Sequence, residues 1–190
     1  YASAGYAGTC THHGAMFDAG DLQRLVAAGH EIGCHTHTHI DGSRVGADAL
    51  LADIERNHQA LRALGYDGKL DSFAYPYGET TPAAKRLLAK RFTSLRGVHA
   101  AINRGMSDRS LLKSVPVDGG EAGIARAVDA AEGLVEHPGW LIFYLHDVQD
   151  EPTQWGCTPA QLEWVCGAVE RSGARVLTVA AAMAEIGDHA

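Results

Sequence analysis

The chain has 190 residues, of which 16 are Lys or Arg and 23 are Asp or Glu, for a net charge of −7. That balance lacks the basic field that nucleic acid or an anionic membrane surface would require, and it suits a neutral or weakly cationic substrate. Apolar residues make up 46% and charged residues 21%, the composition of one globular domain with a real core, and no apolar run approaches the ~20 residues that cross a bilayer.

In chain order, residues 1–8 read as the tail of a strand running into a glycine turn, and a polar loop with Cys10, Thr11, His12 and His13 follows. Tyr1 is not an initiator Met and no signal segment precedes it, so the expectation is that upstream residues have been removed. Leu22, Leu25 and Val26 have helical spacing between Asp21 and Ala28, with Asp18 or Gly20 as the start and Gly29 as the stop. A strand is predicted over Glu31 to Cys34, then a long helix from Ala47 to Leu64 with Leu50, Ile54, Leu61 and Leu64 on one face.

Ser72 to Tyr75 reads as a strand, followed by a Pro-Tyr-Gly turn and a helix with Thr81 as N-cap and Pro82 as first residue. A short strand is expected near Phe92 to Leu95, a loop over 98–110, and a strand over Leu111 to Val117. Ile124, Ala127, Val128, Ala131 and Val135 mark a helix, and the unbroken apolar run Trp140 to Leu145 a strand covered on both faces. Thr158, Pro159 and Gln161 open a helix as a capping box, with Leu162, Val165, Cys166 and Val169 inward and Gly173 at its end. A strand over Arg175 to Val179 and a short alanine-rich helix close the chain. Strand and helix alternate, which predicts an α/β fold of parallel strands with helices outside, a barrel or an open sheet.

The densest chemistry lies in GHEIGCHTHTHID, residues 29–41, where His35, His37 and His39 fall within five positions. Neutral imidazole is the commonest protein ligand for a transition metal. A continuing strand would place all three on one face, whereas a turn after His35 would bring only His35 and His39 together. Gly33 before the run and Asp41, Gly42 and Ser43 after it are turn signals and favour the second geometry. The four cysteines (Cys10, Cys34, Cys157, Cys166) have no CxxC spacing, which argues against a zinc ribbon and leaves disulfides open. Cys34 reads as a small buried apolar residue.

GHEIGCHTHTH resembles the metal-binding motif of the polysaccharide deacetylases, the NodB-type carbohydrate esterases. SFAYPYG at 72–78 is similar to that family's third motif and Leu-His-Asp at 145–147 to its fifth. The resemblance implies a distorted (β/α) barrel, with 1–190 a single NodB homology domain that lacks its first strand. It implies a metal-dependent hydrolase that removes N-acetyl groups from the amino sugars of a saccharide, with a divalent metal, zinc foremost, as cofactor. His35 and His39 would be metal ligands and His37 would occupy a variable position. The Tyr77 N–H would serve an oxyanion, His146 would be the general acid, and Tyr75, Pro76 and Leu145 would line the substrate's acetyl group. A bacterial cell envelope or secreted location would fit the same resemblance, while the residues leave the compartment open, a cytoplasmic one included.

This chain departs from the family's pattern in three places. Phe73, Ala74 and Tyr75 stand where the third motif carries an Arg, Asp118 in VPVDGGE matches the fourth-motif Asp without a neighbouring Trp, and the Asp-Asp pair of the first motif has no counterpart. Asp18 in MFDAG imitates that pair but reads better as a helix cap. The resemblance therefore places the Asp-Asp pair upstream of Tyr1. Two other functions stay open on these residues: an amidase acting on a small molecule, and a saccharide-binding module of the same fold without catalysis.

Overall fold

The computed structural model describes residues 1–12 and 14–187. Its helices are α1 (Ala19–Ala27), α2 (Ala47–Ala63), α3 (Pro82–Leu88), α4 (Gly120–Glu132), α5 (Pro159–Ser172) and α6 (Val179–Gly187). The strands are β1 (Cys10–Thr11), β2 (Gly14–Ala15), β3 (Ser72–Ala74), β4 (Ser94–Arg96), β5 (Val115–Pro116) and β6 (Phe143–Tyr144), with single turns of 3₁₀ helix at Ala4–Tyr6 and Pro76–Gly78.

Local chemistry accounts for the helix starts. Asp18 accepts the Asp21 N–H at 2.9 Å while the Asp21 side chain accepts the Asp18 N–H at 3.0 Å, a closed capping box on α1. Asp18 is thus a cap, as its position before the helix implied. Thr81 accepts the Ala84 N–H at 3.1 Å, and Thr158 and Gln161 cap α5 reciprocally at 3.2 and 2.9 Å. Removing the α5 cap with Thr158→Ala should cost about 1 kcal/mol, read as a lower urea midpoint at unchanged m-value.

The sheet runs parallel in sequence order. Ala2 bridges Cys34, Cys34 bridges Phe73, β3 pairs with β4, Arg96 bridges Leu112, and β5 pairs with β6, all parallel. Along this arc the pairings follow sequence order, without the reversal of a doubly wound sheet, as in a barrel winding. Outside this arc β1 and β2 form a small antiparallel hairpin where a loop was predicted.

Two apolar clusters hold the layers together. In one, Leu50, Ile54 and Leu61 of α2 and Leu88 of α3 pack on Phe73 and Leu95; in the other, Ile124, Ala127, Val128 and Ala131 of α4 face Val165 and Ala168 of α5 over Val115 and Val117. Burial of a side chain such as Phe73, fully enclosed, contributes about 1.5–3 kcal/mol.

Several predicted elements differ. Glu31 to Cys34 is extended but pairs only at Cys34, and the Trp140 to Leu145 run narrows to β6 with an antiparallel bridge from Trp140 to Asn103. Phe143 and Tyr144 are only half-buried, so the run is not covered on both faces. Residues 175–178 form no strand: Val176 is 82% exposed, and among the described residues no edge pairs with it. In α1 only Leu22 is buried while Leu25 and Val26 are exposed, and in α5 Cys166 faces outward. Periodicity marked an apolar stripe in each helix, but the sheet beneath covers only part of it.

Candidate functional site

The polar groups singled out in the sequence sit where strands end. His35 follows the Cys34 bridge, Tyr75 to Gly78 follow β3, Asp118 lies just beyond β5, and His146 just beyond β6. All occupy the C-terminal edge of the parallel arc, where such folds gather functional groups.

The histidine turn is shaped by a buried carboxylate. Thr36 and His39 have φ of 62° and 55°, left-handed conformations that cost non-glycine residues about 1–3 kcal/mol each. Asp53 of α2, with no exposed surface, offsets that strain by accepting the His37 N–H at 2.7 Å, the Thr38 N–H at 3.0 Å and the Thr38 hydroxyl at 3.0 Å. Thr36 Oγ1 accepts the Ile40 N–H at 3.1 Å. Burial works against ionisation of Asp53, yet the hydrogen bonds from Thr38, His37 and Arg56 outweigh it and hold its carboxyl below the ordinary range. One α2 turn further on, buried Asn57 accepts the Ala4 N–H at 2.7 Å and donates to the Ala2 carbonyl at 2.9 Å.

The chain therefore turns rather than continuing as a strand, and it brings His35 and His39 together with ring centroids 4.7 Å apart at 79°. His35 Nδ1 lies 2.8 Å from the Ala74 carbonyl. A carbonyl only accepts, so Nδ1 carries the proton and Nε2 keeps its lone pair. Burial pushes the His35 pKa down to about 3, the Ala74 bond resists this, and His39 and Arg96 push the same way as burial. The ring is neutral near pH 7, the form a metal takes. His37 is held elsewhere: its carbonyl accepts the Gly5 N–H at 3.0 Å, and its Nε2 lies 3.2 Å from where a Cβ on Gly5 would sit.

After β3, Tyr77 adopts φ 60° and ψ 3° between Pro76 and Gly78, and its ring centroid lies 4.6 Å from that of His39. Gly78 has φ +73°, and a Cβ there would stand 2.2 Å from Val98 Cγ2. Gly78→Ala should therefore cost about 1–3 kcal/mol through overpacking and backbone strain, visible as a lowered Tm together with a changed environment for Tyr77.

Tyr75 and Pro76, expected as substrate-binding residues, are enclosed just after β3. Tyr75 is 2% exposed, donates its hydroxyl to the Ser110 carbonyl at 3.0 Å, and is pushed by burial to a pKa of about 12. Pro76 is buried as well. The spacing of two along the chain sets the Tyr75 ring against Phe73, with centroids 5.3 Å apart. Leu145, 37% exposed, retains a surface at the site.

His146 is held by the strap that follows β6, its Nδ1 3.2 Å and its backbone N–H 3.3 Å from the Trp155 carbonyl. As with His35, the carbonyl calls for the proton on Nδ1. Asp118, 8% exposed, lies close enough for His146 and Arg126 to lower its carboxyl, though burial dominates and raises it.

Arg96 went unnoticed in the sequence. It stands in register with Ala74 on the adjacent strand, is 8% exposed, and lies between the rings of Tyr1 and Tyr144 at 5.2 and 5.0 Å. One terminal nitrogen donates to the Gly97 carbonyl at 3.2 Å, while Nε is buried without a hydrogen bond. The charge absent from the third motif is thus present one strand over. An Arg ending the short apolar strand before Gly97 was the available signal, as were Asp53 and Asn57 for the turn, since both fall on the Leu50, Ile54, Leu61 face of α2.

His35 suits a divalent ion as one neutral donor, and His39 stands beside it as a second. Among the described residues no group of three His, Cys, Asp or Glu converges to complete a site.

Residues 5–93 match the model of the polysaccharide deacetylase family. A family 4 carbohydrate esterase from Streptomyces lividans, solved in complex with acetate, is similar at TM-score 0.55 and 22% identity over 82% of this chain and 68% of that one. A family 4 pseudoenzyme from Bacillus anthracis gives TM-score 0.60 and 13% identity over 87% and 50%. A mutant of that pseudoenzyme with restored enzymatic activity gives 0.59 and 12% over 87% and 52%. The chain thus spans about half the length of the Bacillus anthracis structures, and at these identities the likeness is one of fold.

Proposed function

We propose, for a chain whose residues 5–93 match the model of the polysaccharide deacetylase family, a metal-dependent hydrolysis of the N-acetyl groups of amino sugars in a glycan. The observation that carries this reading is the His35 and His39 pair, with His35 neutral and its Nε2 lone pair kept available by the Ala74 carbonyl. A divalent ion, zinc first among candidates, would be held by these two rings and would supply acidification of water and polarisation of the amide carbonyl.

Residues of this chain would serve the oxyanion and the leaving amine, and a carboxylate would take the proton of the attacking water. The Tyr77 N–H donates to the oxygen that gains charge as the amide carbonyl becomes tetrahedral. His146 gives its proton to the departing amine, with the Trp155 carbonyl fixing its ring and the Asp118 carboxyl close by. Leu145 offers an apolar contact to the acetyl methyl, and Arg96 provides a buried positive charge that would orient a carboxylate base near His35.

The test is zinc binding by competition with a chromophoric chelator, alongside acetate release from an N-acetylglucosamine oligomer. The expected result is stoichiometric zinc, lost in both His35→Ala and His39→Ala, together with zinc-dependent acetate release. Zinc bound equally well by both variants would overturn the ligand assignment. A second reading, a saccharide-binding module without catalysis, is favoured by the two-donor set and by the pseudoenzyme among the similar structures. It predicts glycan binding with no acetate released at any metal loading.

A further inference from the structure

We propose that the exposed indole of Trp155 is the stacking face of a subsite for a neutral pyranose ring adjacent to the sugar that reacts. This rests on the function proposed above and deepens it, since it makes the ligand an oligosaccharide rather than a small amide.

Trp155 is 49% exposed, yet it is not carried on a loose loop. The strap from Asp147 to Cys157 is pinned at its base by buried Asp147, whose carboxylate accepts the Thr153 N–H at 2.9 Å and the Thr153 hydroxyl at 2.7 Å. The Asp147 carbonyl accepts the Cys157 N–H at 3.0 Å, and Thr153 Oγ1 accepts the Trp155 N–H at 3.3 Å. At Gly156 a Cβ would stand 2.4 Å from the Asp147 carbonyl oxygen, so closure of the strap needs a residue without one. The backbone that carries the indole is thus fixed by hydrogen bonds, and the residue stays half exposed although enclosing it would have been favourable.

Its place gives that exposure a use. The Trp155 carbonyl holds the His146 ring, the two ring centroids lie 6.4 Å apart at 58°, and Leu145 exposes its side chain immediately before His146. A ligand seated at the His146 imidazole therefore has the indole as a neighbour. A pyranose has an apolar face of axial C–H bonds and a rim of hydroxyls, which suits a flat aromatic surface open to water at its edge. A rigid aromatic also loses little conformational entropy on binding.

The experiment follows the indole Nε1–H resonances of the three tryptophans by NMR while the chain is titrated with N-acetylglucosamine monomer and then tetramer, the Trp155 signal being assigned through Trp155→Phe. The tetramer should shift the Trp155 resonance and the monomer should shift it weakly. Trp155→Ala should weaken tetramer binding about tenfold, with Trp155→Phe recovering most of the loss. In turnover assays the defect should fall on KM and grow with oligomer length. Tetramer binding that leaves the Trp155 signal unmoved and is equal in Trp155→Ala overturns the subsite, as does no binding of tetramer at all. A shifting Trp155 signal in a chain that releases no acetate with any metal supports the subsite while refuting the hydrolase, so the two readings fail separately.

Discussion

His146→Ala should lower turnover on an N-acetylated oligosaccharide by roughly 10²–10⁴-fold while zinc affinity stays the same, the pattern of a lost general acid rather than a lost ligand. His146 sits at the end of β6, on a different strand from the His35 and His39 turn, and its Nδ1 is already committed to the Trp155 carbonyl. Only Nε2 then faces a reacting group. Stopped-assay kinetics with zinc titrated in parallel decide the matter: simultaneous loss of zinc and activity would make His146 a ligand. Because the side chain is exposed, truncation leaves no cavity, and the thermal midpoint should move little.

Asp53→Ala should do the opposite, destabilising the fold by about 3–5 kcal/mol and abolishing zinc binding even though Asp53 is not a ligand. Its carboxylate satisfies two backbone N–H groups and one hydroxyl in the histidine turn, and Ala leaves all three donors unpaired while the strained Thr36 and His39 backbones lose their restraint. The pH dependence has a definite sign. The folded Asp53 carboxyl titrates below its ordinary value, so its stabilisation is complete above the unfolded pKa of roughly 3.9 and is lost as pH falls through the lower folded value. Wild type should accordingly lose stability relative to Asp53→Ala only below about pH 4. Urea midpoints from pH 7 down to pH 3 measure this, and a constant difference between the two proteins across that range would contradict it.

The helices and most strand positions were readable because each depends on neighbours within a few residues. Thr81 and Pro82, the Thr158 and Gln161 box, and Leu50, Ile54 and Leu61 act over one or two turns. Strand extent was less legible: Val176 and Leu177 have strand-forming side chains, but a strand exists only where another edge accepts its hydrogen bonds. Tyr75 shows the same limit at the site, since alternation along β3 decides its face and the surrounding Phe73 and Ser110 decide that it is enclosed.

The sequence by itself determined the donor types and their spacing: imidazoles at 35 and 39 on a turn, Pro-Tyr-Gly after one strand, a His after another. These are legible over short range, because Gly33 before the histidines and Asp41, Gly42 and Ser43 after them are local turn signals. Only the tertiary structure decided that Asp53, fourteen positions beyond His39, braces that turn, that Ala74 selects the His35 tautomer from 39 residues away, and that Arg96 stands beside Ala74. Those contacts join residues whose separation along the chain carries no periodic signal, and they exist only because parallel strands wound in sequence order bring their ends to one edge.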